Sequence, residues 1–315
     1  PLKEGKYRTT DLSKSEQGFY VTANGLKSDV FKVSIREPFA EDAYETITYP
    51  VVFHLIQDKT KVELGQGVGA DIVNYAFNTI YNCFARTAAF SPNGADTKIR
   101  FRLAEYDPNG RKMEEKGINR YSLSTSDLNN LNPEKIKNNP KICWDYKRYL
   151  NIWIVENMGN SVSTPHYILN TADLNQIQGV SFEQLSLEEI EKQEYSLTDI
   201  GLIYGARDFA IEDVGYPTQM GKFFGLLDTE NQKEDYCEDT FAYNTYKEPW
   251  NTALEGSNSR LKISTDGLIF YSVNIMDASS YKNTISMDQV KRIRTITDNC
   301  PHRWAWKSDW AFTGK

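Results

Sequence analysis

Residues 217–230 read PTQMGKFFGLLDTE, and the side chains in this stretch that could do chemistry are Thr218, Gln219, Lys222 and Asp228. A glycine stands inside a helical pattern at 221, a second follows at 225, and a polar residue comes three positions later. The rhythm is that of a zinc-binding helix, yet the stretch holds no histidine. An ammonium such as that of Lys222 has no lone pair to give a metal. The Gln219 amide cannot act as a general base at any pH. Met220, Phe223, Phe224 and Leu227 fall at i, i+3, i+4 and i+7, so one helical face is apolar, and Thr218, Gln219 and Lys222 share the other. Taken alone, this is an amphipathic helix packed on a core.

The elements around it follow from pattern. TITYPVVFHLIQD, from Thr46, is strongly β-prone and reads as a buried strand with Pro50 near its start. Residues 69–87 place Ile72, Tyr75, Ala76, Ile80 and Phe84 at three- and four-residue spacing, which predicts a helix with one buried face. TKIRFRLAEY (97–106) alternates apolar and basic residues as a strand covered on one face does, and DPNGR after it is a turn. Residues 122–142 read as a long loop, YLNIWIVEN (149–157) as an apolar strand, and 158–200 as loop-rich with a short helix capped by Ser186. Leu202–Tyr204 is the last strand candidate before the helix in question. Residues 1–45 are polar and read as an N-terminal extension or arm, with a strand expected in Asp29–Ile35.

Composition sets the outer limits. A chain of 315 residues with 40% apolar and 13% aromatic content is long enough to bury a core without metals or disulfides. A net charge of -7 without a basic stripe speaks against nucleic acid as partner. The longest apolar run, Tyr49–Ile56, is far short of a membrane span, so no transmembrane segment is expected. Cys83, Cys143, Cys237 and Cys300 form no CxxC pair, and one bridge at most is expected.

Five stretches, in order, resemble the pappalysin or cytophagalysin family of zinc metallopeptidases, of the metzincin clan. YPVVFHLI (49–56) is similar to the family's opening strand, and residues 96–120 to its strand and turn ending in Gly-Ile-x-Arg, here Gly117, Ile118 and Arg120. WDYKRYLNIWIVENMGN (144–160) resembles the family's WDPxxYLNIWV strand. DYCEDTFAYN (235–244) resembles the segment after the zinc helix, and VNIMDASS (273–280) the Met-turn, followed by a C-terminal helix in SMDQVKRIR. In that register PTQMGKFFGLLDTE lies on THExGHxxGLxHTF. Thr218 stands for the first histidine, Gln219 for the catalytic glutamate, Lys222 for the second histidine and Asp228 for the third.

The resemblance implies an α+β, metzincin-like fold: a twisted mixed β-sheet with backing helices, an active-site-like helix, and a smaller C-terminal subdomain with the Met-turn. It divides the chain into an extension (1–45) and a metallopeptidase-like domain (46–315), with subdomains at about 46–228 and 229–315. Zinc is the family's cofactor but is not expected here, because Lys222 would repel a dication at about 4 Å by roughly 8 kcal/mol. None of the histidines His54, His166 and His302 stands at ligand spacing from another, and His54 matches a strand histidine that is not a ligand. The expected function is a catalytically inactive pseudo-peptidase that binds a peptide or protein. The alternatives are a surface interaction protein using another face and an active zinc protease with rearranged ligands. Gly201, Tyr204, Gly225 and Met276 are the candidate cleft residues, and Lys222 is expected to pair with Asp228 with the Thr218 hydroxyl as a further acceptor. An exported location, periplasmic or at the surface of a bacterial cell as a lipoprotein, is implied by the resemblance only; it would permit a disulfide, and the bridge expected then is Cys237–Cys300, both in the C-terminal part.

Overall fold

The computed structural model describes residues 13, 16–35, 40–87, 94–171, 177–210, 215–229, 234–244, 261–264, 269–277 and 282–315. Residues 1–43 and 44–315 form separate compact units. In the first, Glu16–Phe19 pairs antiparallel with Phe31–Ser34, the strand expected in 29–35, and Thr22–Ala23 pairs with Leu26–Lys27. Asn24 and Gly25 turn this short hairpin with positive φ at both positions. The segment read as an arm therefore carries paired strands among its described residues.

The second unit is built on Ile47–Asp58, a twelve-residue strand buried along almost its whole length. Leu150–Val155 runs parallel along one edge of it, and Gly201–Gly205 runs parallel beyond that. Along the other edge the first half pairs in parallel with Ile99–Leu103 and the second half with Ile118–Leu123. The five strands of this sheet run parallel, and its antiparallel component is a bridge between Ser161 and Ile203 on the outer edge. Parallel strands covered on both faces read as continuous apolar runs, which is why YPVVFHLI and YLNIWIV stood out. Pro50 lacks an N–H, and it falls one residue before pairing with Leu150–Val155 begins at Val51.

Alternate residues of the central strand separate two layers. On one side Tyr49 meets Phe224, just past the helix Tyr216–Phe223, edge-on, Phe84 of the helix Ala70–Phe84 packs on the same Phe224, and Phe53 meets Phe209 of the short helix Ala206–Ala210. On the opposite side His54 stacks on Trp153, and Ile56, Trp153, Val155 and Ile203 join a core closed by Leu128, Ile136 and Ile142. Those last residues come from the expected loop at 122–142, which in fact folds two short helices, Thr125–Asn129 and Pro133–Lys137, capped by Ser124 and Asn132. The strand Ile118–Leu123 was not expected as a sheet member. It pairs on one side only, and after the buried Ile118 its residues alternate half-buried and exposed, so its polar INRYSL sequence gives a weak signal.

Gly117 joins the two half-length strands. It sits at φ 67°, donates to Ala104 O and offers its carbonyl to Phe53 N, each at 2.7 Å. A Cβ there would lie 2.6 Å from Leu103 Cδ2. Gly117→Ala is therefore expected to lose about 2–4 kcal/mol, the sum of left-handed strain and overpacking. Urea denaturation checks this, and a change below about 1 kcal/mol would contradict the strain.

Towards the C-terminus, described segments form the antiparallel strands Tyr243–Asn244, Leu261–Ser264 and Ile269–Tyr271, then the helix Met287–Asn299. The chain end returns to the sheet, where Ala311 O accepts from Glu105 N and Tyr106 N.

All four cysteines are free thiols, three of them buried. This corrects the expected Cys237–Cys300 bridge. Cys300 packs with Ile168, Ile177 and Ile296 at the end of the long helix, whereas Cys237 lies beside Asp235 in the preceding loop region. Burial pushes the Cys83 thiol up to about 12 and the Cys143 thiol to about 11, so both are poor nucleophiles.

Candidate functional site

The site helix Tyr216–Phe223 begins after Gly215, with Pro217 in its first turn, where a missing N–H costs nothing. It ends at Gly225, which has φ 85°, and Leu226 N turns back to Gly221 O at 2.9 Å. A side chain at Gly225 would meet Ile296 Cγ1 at 2.9 Å. Both the left-handed turn and the close approach need glycine, and together they send the chain back so that Asp228 returns to the helix.

Thr218 and Lys222 stand one turn apart. Lys222 Nζ lies 3.0 Å from both carboxylate oxygens of Asp228. This is the pairing expected from sequence, and the two side chains are 30% and 35% exposed. The expected role of Thr218 needs correction. Its hydroxyl donates to Ile275 O at 2.5 Å and accepts from Lys282 Nζ at 2.9 Å, so it serves a second lysine rather than Lys222. Gln219 is half-buried on the same helix.

Ile275 and Met276 belong to a turn at Asn274–Asp277, in which Met276 N is held by Asn274 Oδ1 at 2.9 Å. The turn packs under the helix. An ideal Cβ on Gly221 would lie 2.9 Å from Met276 Sδ, which puts the methionine next to the residue preceding Lys222. Thr229 fixes the same turn by donating to Asp277 Oδ1. Burial raises the Asp277 carboxyl above the usual range.

Of the remaining cleft candidates, Gly201 and Tyr204 do not line an opening. Gly201 packs directly on Asn151 O and the Trp153 ring, and the Tyr204 hydroxyl reaches Tyr216 O at 3.4 Å inside the core. Their strand is covered on its outer side by residues 158–161: Ser161 exchanges two hydrogen bonds with Ile203, and Asn160 Oδ1 accepts from Gly205 N. The polar ENMGNS run carries this bridge without a strand-like pattern.

Two buried groups and one half-buried one escaped sequence reasoning. Arg303 donates from Nε to Phe223 O at 2.7 Å and from Nη1 to Asp199 O, and its guanidinium lies 3.6 Å from the Phe223 ring centroid. Its own carbonyl accepts from Tyr49 OH at 2.6 Å. Arg292 Nε donates to Gly225 O at 2.5 Å. Two arginines thus satisfy carbonyls at the end of the site helix that would otherwise lack partners. The third is Lys282. Each was a charged residue in a polar stretch, without a spacing signal.

The histidines are structural. His54 accepts at Nδ1 from Asn119 Nδ2 and donates from Nε2 to Asn151 Oδ1, each at 2.9 Å. Both nitrogens are satisfied in the neutral ring, and burial lowers its pKa to about 4. His302 is enclosed edge-on by Tyr146 and Tyr167 and faced by Tyr195, and burial lowers it likewise to about 4. His166 lies 3.7 Å from Asp199 and is about half exposed.

The donor set does not fit a zinc ion. Lys222 offers a cation, Thr218 a hydroxyl already used twice, and Asp228 a carboxylate already paired. Among the described residues no group of three or more His, Cys, Asp and Glu side chains converges as a metal site would need. The Lys222–Asp228 pair is solvent-screened, so a double-mutant cycle with Lys222→Ala and Asp228→Ala is expected to give a coupling of about 0.5–1 kcal/mol. Strictly additive effects would show the two side chains to be independent.

The described residues have a metzincin-like fold. Solved structures of mirolysin from Tannerella forsythia share it. Mature mirolysin in complex with a cleaved peptide superposes at a TM-score of 0.53 and 18% identity, covering 85% of this chain and 97% of that one. A promirolysin point mutant gives 0.51 and 19% over 86% and 87%, and mirolysin in complex with compound 9 gives 0.53 and 17% over 85% and 98%. Comparison with protein-family models and with curated proteins returns no match. At this identity the likeness is one of fold.

Proposed function

We propose that the chain is a pseudo-peptidase: a metallopeptidase-like scaffold that carries out no metal-dependent hydrolysis and has kept a cleft for a peptide or protein segment. The observation that carries this reading is the Lys222 ammonium, 3.0 Å from both oxygens of Asp228, on the helix face where a zinc site would need neutral imidazoles. Gln219 beside it cannot take a proton from water. The peptide as ligand class rests on the fold's likeness to mirolysin, one structure of which holds a cleaved peptide. We also place the chain outside the cytoplasm, as the family resemblance implies. Its buried thiols, with pKa values raised by burial, would stay unreactive in an oxidising compartment.

The reading is tested by incubating the full chain with an unfolded protein substrate, with and without added zinc and with a chelator. In parallel, a library of extended peptides is screened for binding. No cleavage under any condition, together with saturable binding of some peptides, is the expected result. Chelator-sensitive cleavage would overturn the inactive assignment, and cleavage-free failure to bind any peptide would overturn the retained cleft.

A further inference from the structure

A cavity of ≈ 190 Å³ that the site helix does not line opens between the short helix Leu187–Ile190 and the C-terminal turns. Its walls are apolar: Tyr146, Leu187, Ile190, Pro301 and Trp304. The walls are rigidly set. Ser186 and Glu189 close a full capping box on the helix, and Tyr146 packs edge-on against the buried His302 ring. Leu187 is 43% exposed at the mouth.

Three charged groups stand at the rim. Lys147 and Glu191 are joined at 2.8 Å, so each is already answered by the other. Lys307 is different. Its ammonium lies 3.1 Å from the Trp304 ring centroid and 5.4 Å from that of Trp306, and no carboxylate of the described residues is within ion-pair distance of it. Asp298 acts on it only from further away. An ammonium held on indole faces is partly stripped of water, and a carboxylate brought to it makes a charge-assisted hydrogen bond.

We infer that this cavity is a binding site for a small carboxylate with an apolar body, the body filling the space between Ile190, Pro301 and Trp304 and the carboxylate meeting Lys307. A cavity of this size holds one aromatic ring or branched aliphatic group rather than a drug-sized molecule. Charge selects the occupant. A neutral or cationic analogue of the same shape would leave Lys307 unanswered, and a cation would be repelled by it.

The probe is 3-phenylpropionate, titrated into the full-length chain and followed by tryptophan fluorescence, since Trp304 forms a wall. Saturable binding with a dissociation constant of about 1 mM or tighter is expected. Lys307→Gln is expected to weaken it about tenfold, as loss of a charge-assisted bond does. 3-Phenylpropylamine should not bind. Ile190→Trp fills the cavity and should abolish binding, and Leu187→Asp at the exposed mouth gives the same readout should the first variant fail to fold. Equal binding of acid and amine, binding unchanged in Lys307→Gln, binding unchanged in Leu187→Asp, or no saturable change up to about 10 mM would each overturn the assignment.

Discussion

Between pH 6.5 and pH 4 the chain is expected to lose about 3 kcal/mol of stability for each of two buried histidines, His54 and His302. Burial lowers both pKa values from 6.5 to about 4. In that interval the unfolded chain binds protons that the folded chain refuses, so stability is fully present above 6.5 and falls as the pH drops towards 4. His54 has no room to respond, because protonation would aim an N–H from Nδ1 at the Asn119 amide nitrogen 2.9 Å away. Asp235 and Asp277 act in the opposite sense, since burial raises their carboxyl pKa values and the folded chain holds those protons more tightly. A comparison of variants separates the two effects. Urea midpoints at pH 7 and pH 4.5 should draw closer together in His302→Phe, which keeps an aromatic ring among Tyr146, Tyr167 and Tyr195 and removes one titrating group. An unchanged separation would show that His302 is not the group that titrates.

Arg303→Met is expected to destabilise by about 3–5 kcal/mol, the range for breaking a buried hydrogen-bonded charge network. The substitution keeps an apolar stem of similar length but leaves Phe223 O and Asp199 O without donors inside the protein. It also removes the guanidinium from the Phe223 ring. Arg303→Lys should recover little, because a single ammonium cannot reach both carbonyls in the planar fork that Arg offers. Thermal and urea denaturation measure the loss, and hydrogen exchange should quicken at residues 223–228, where the helix end loosens. A loss below about 1 kcal/mol would mean that water takes over the carbonyls and that Arg303 does not hold the helix.

What could be read from the sequence was whatever left a periodic trace. The parallel strands at 47–58, 150–155 and 201–205 are buried on both faces and spell continuous apolar runs. The helix Ala70–Phe84 carries its three- and four-residue spacing. The pairing of Lys222 with Asp228 was legible because Gly225 fixes where the chain turns, so the separation in sequence converts to a position in space. Groups brought in from distant segments left no such trace. Lys282 reaches Thr218 across 64 positions, and Arg303 reaches Phe223 across 80. Neither sits in a pattern that marks a charged residue as buried. The Thr218 assignment failed for that reason: a hydroxyl beside one expected cation was met by another from a different turn. The cover of residues 158–161 on the last strand went unread for a related one, since the bridge at Ser161 consists of a single residue pair and has no strand signature.

The most direct test of the claim that this helix no longer serves a metal is zinc stoichiometry by elemental analysis, after loading the full chain with zinc and dialysing. It is run beside a variant carrying Thr218→His and Lys222→His, which keeps Asp228 as third ligand. The unmodified chain should retain no stoichiometric zinc, because Lys222 is a cation already paired with Asp228. The variant should retain about one zinc per chain, since two imidazoles one helical turn apart and a carboxylate complete a three-ligand site. About one zinc bound by the unmodified chain, lost on Asp228→Ala, would contradict the claim.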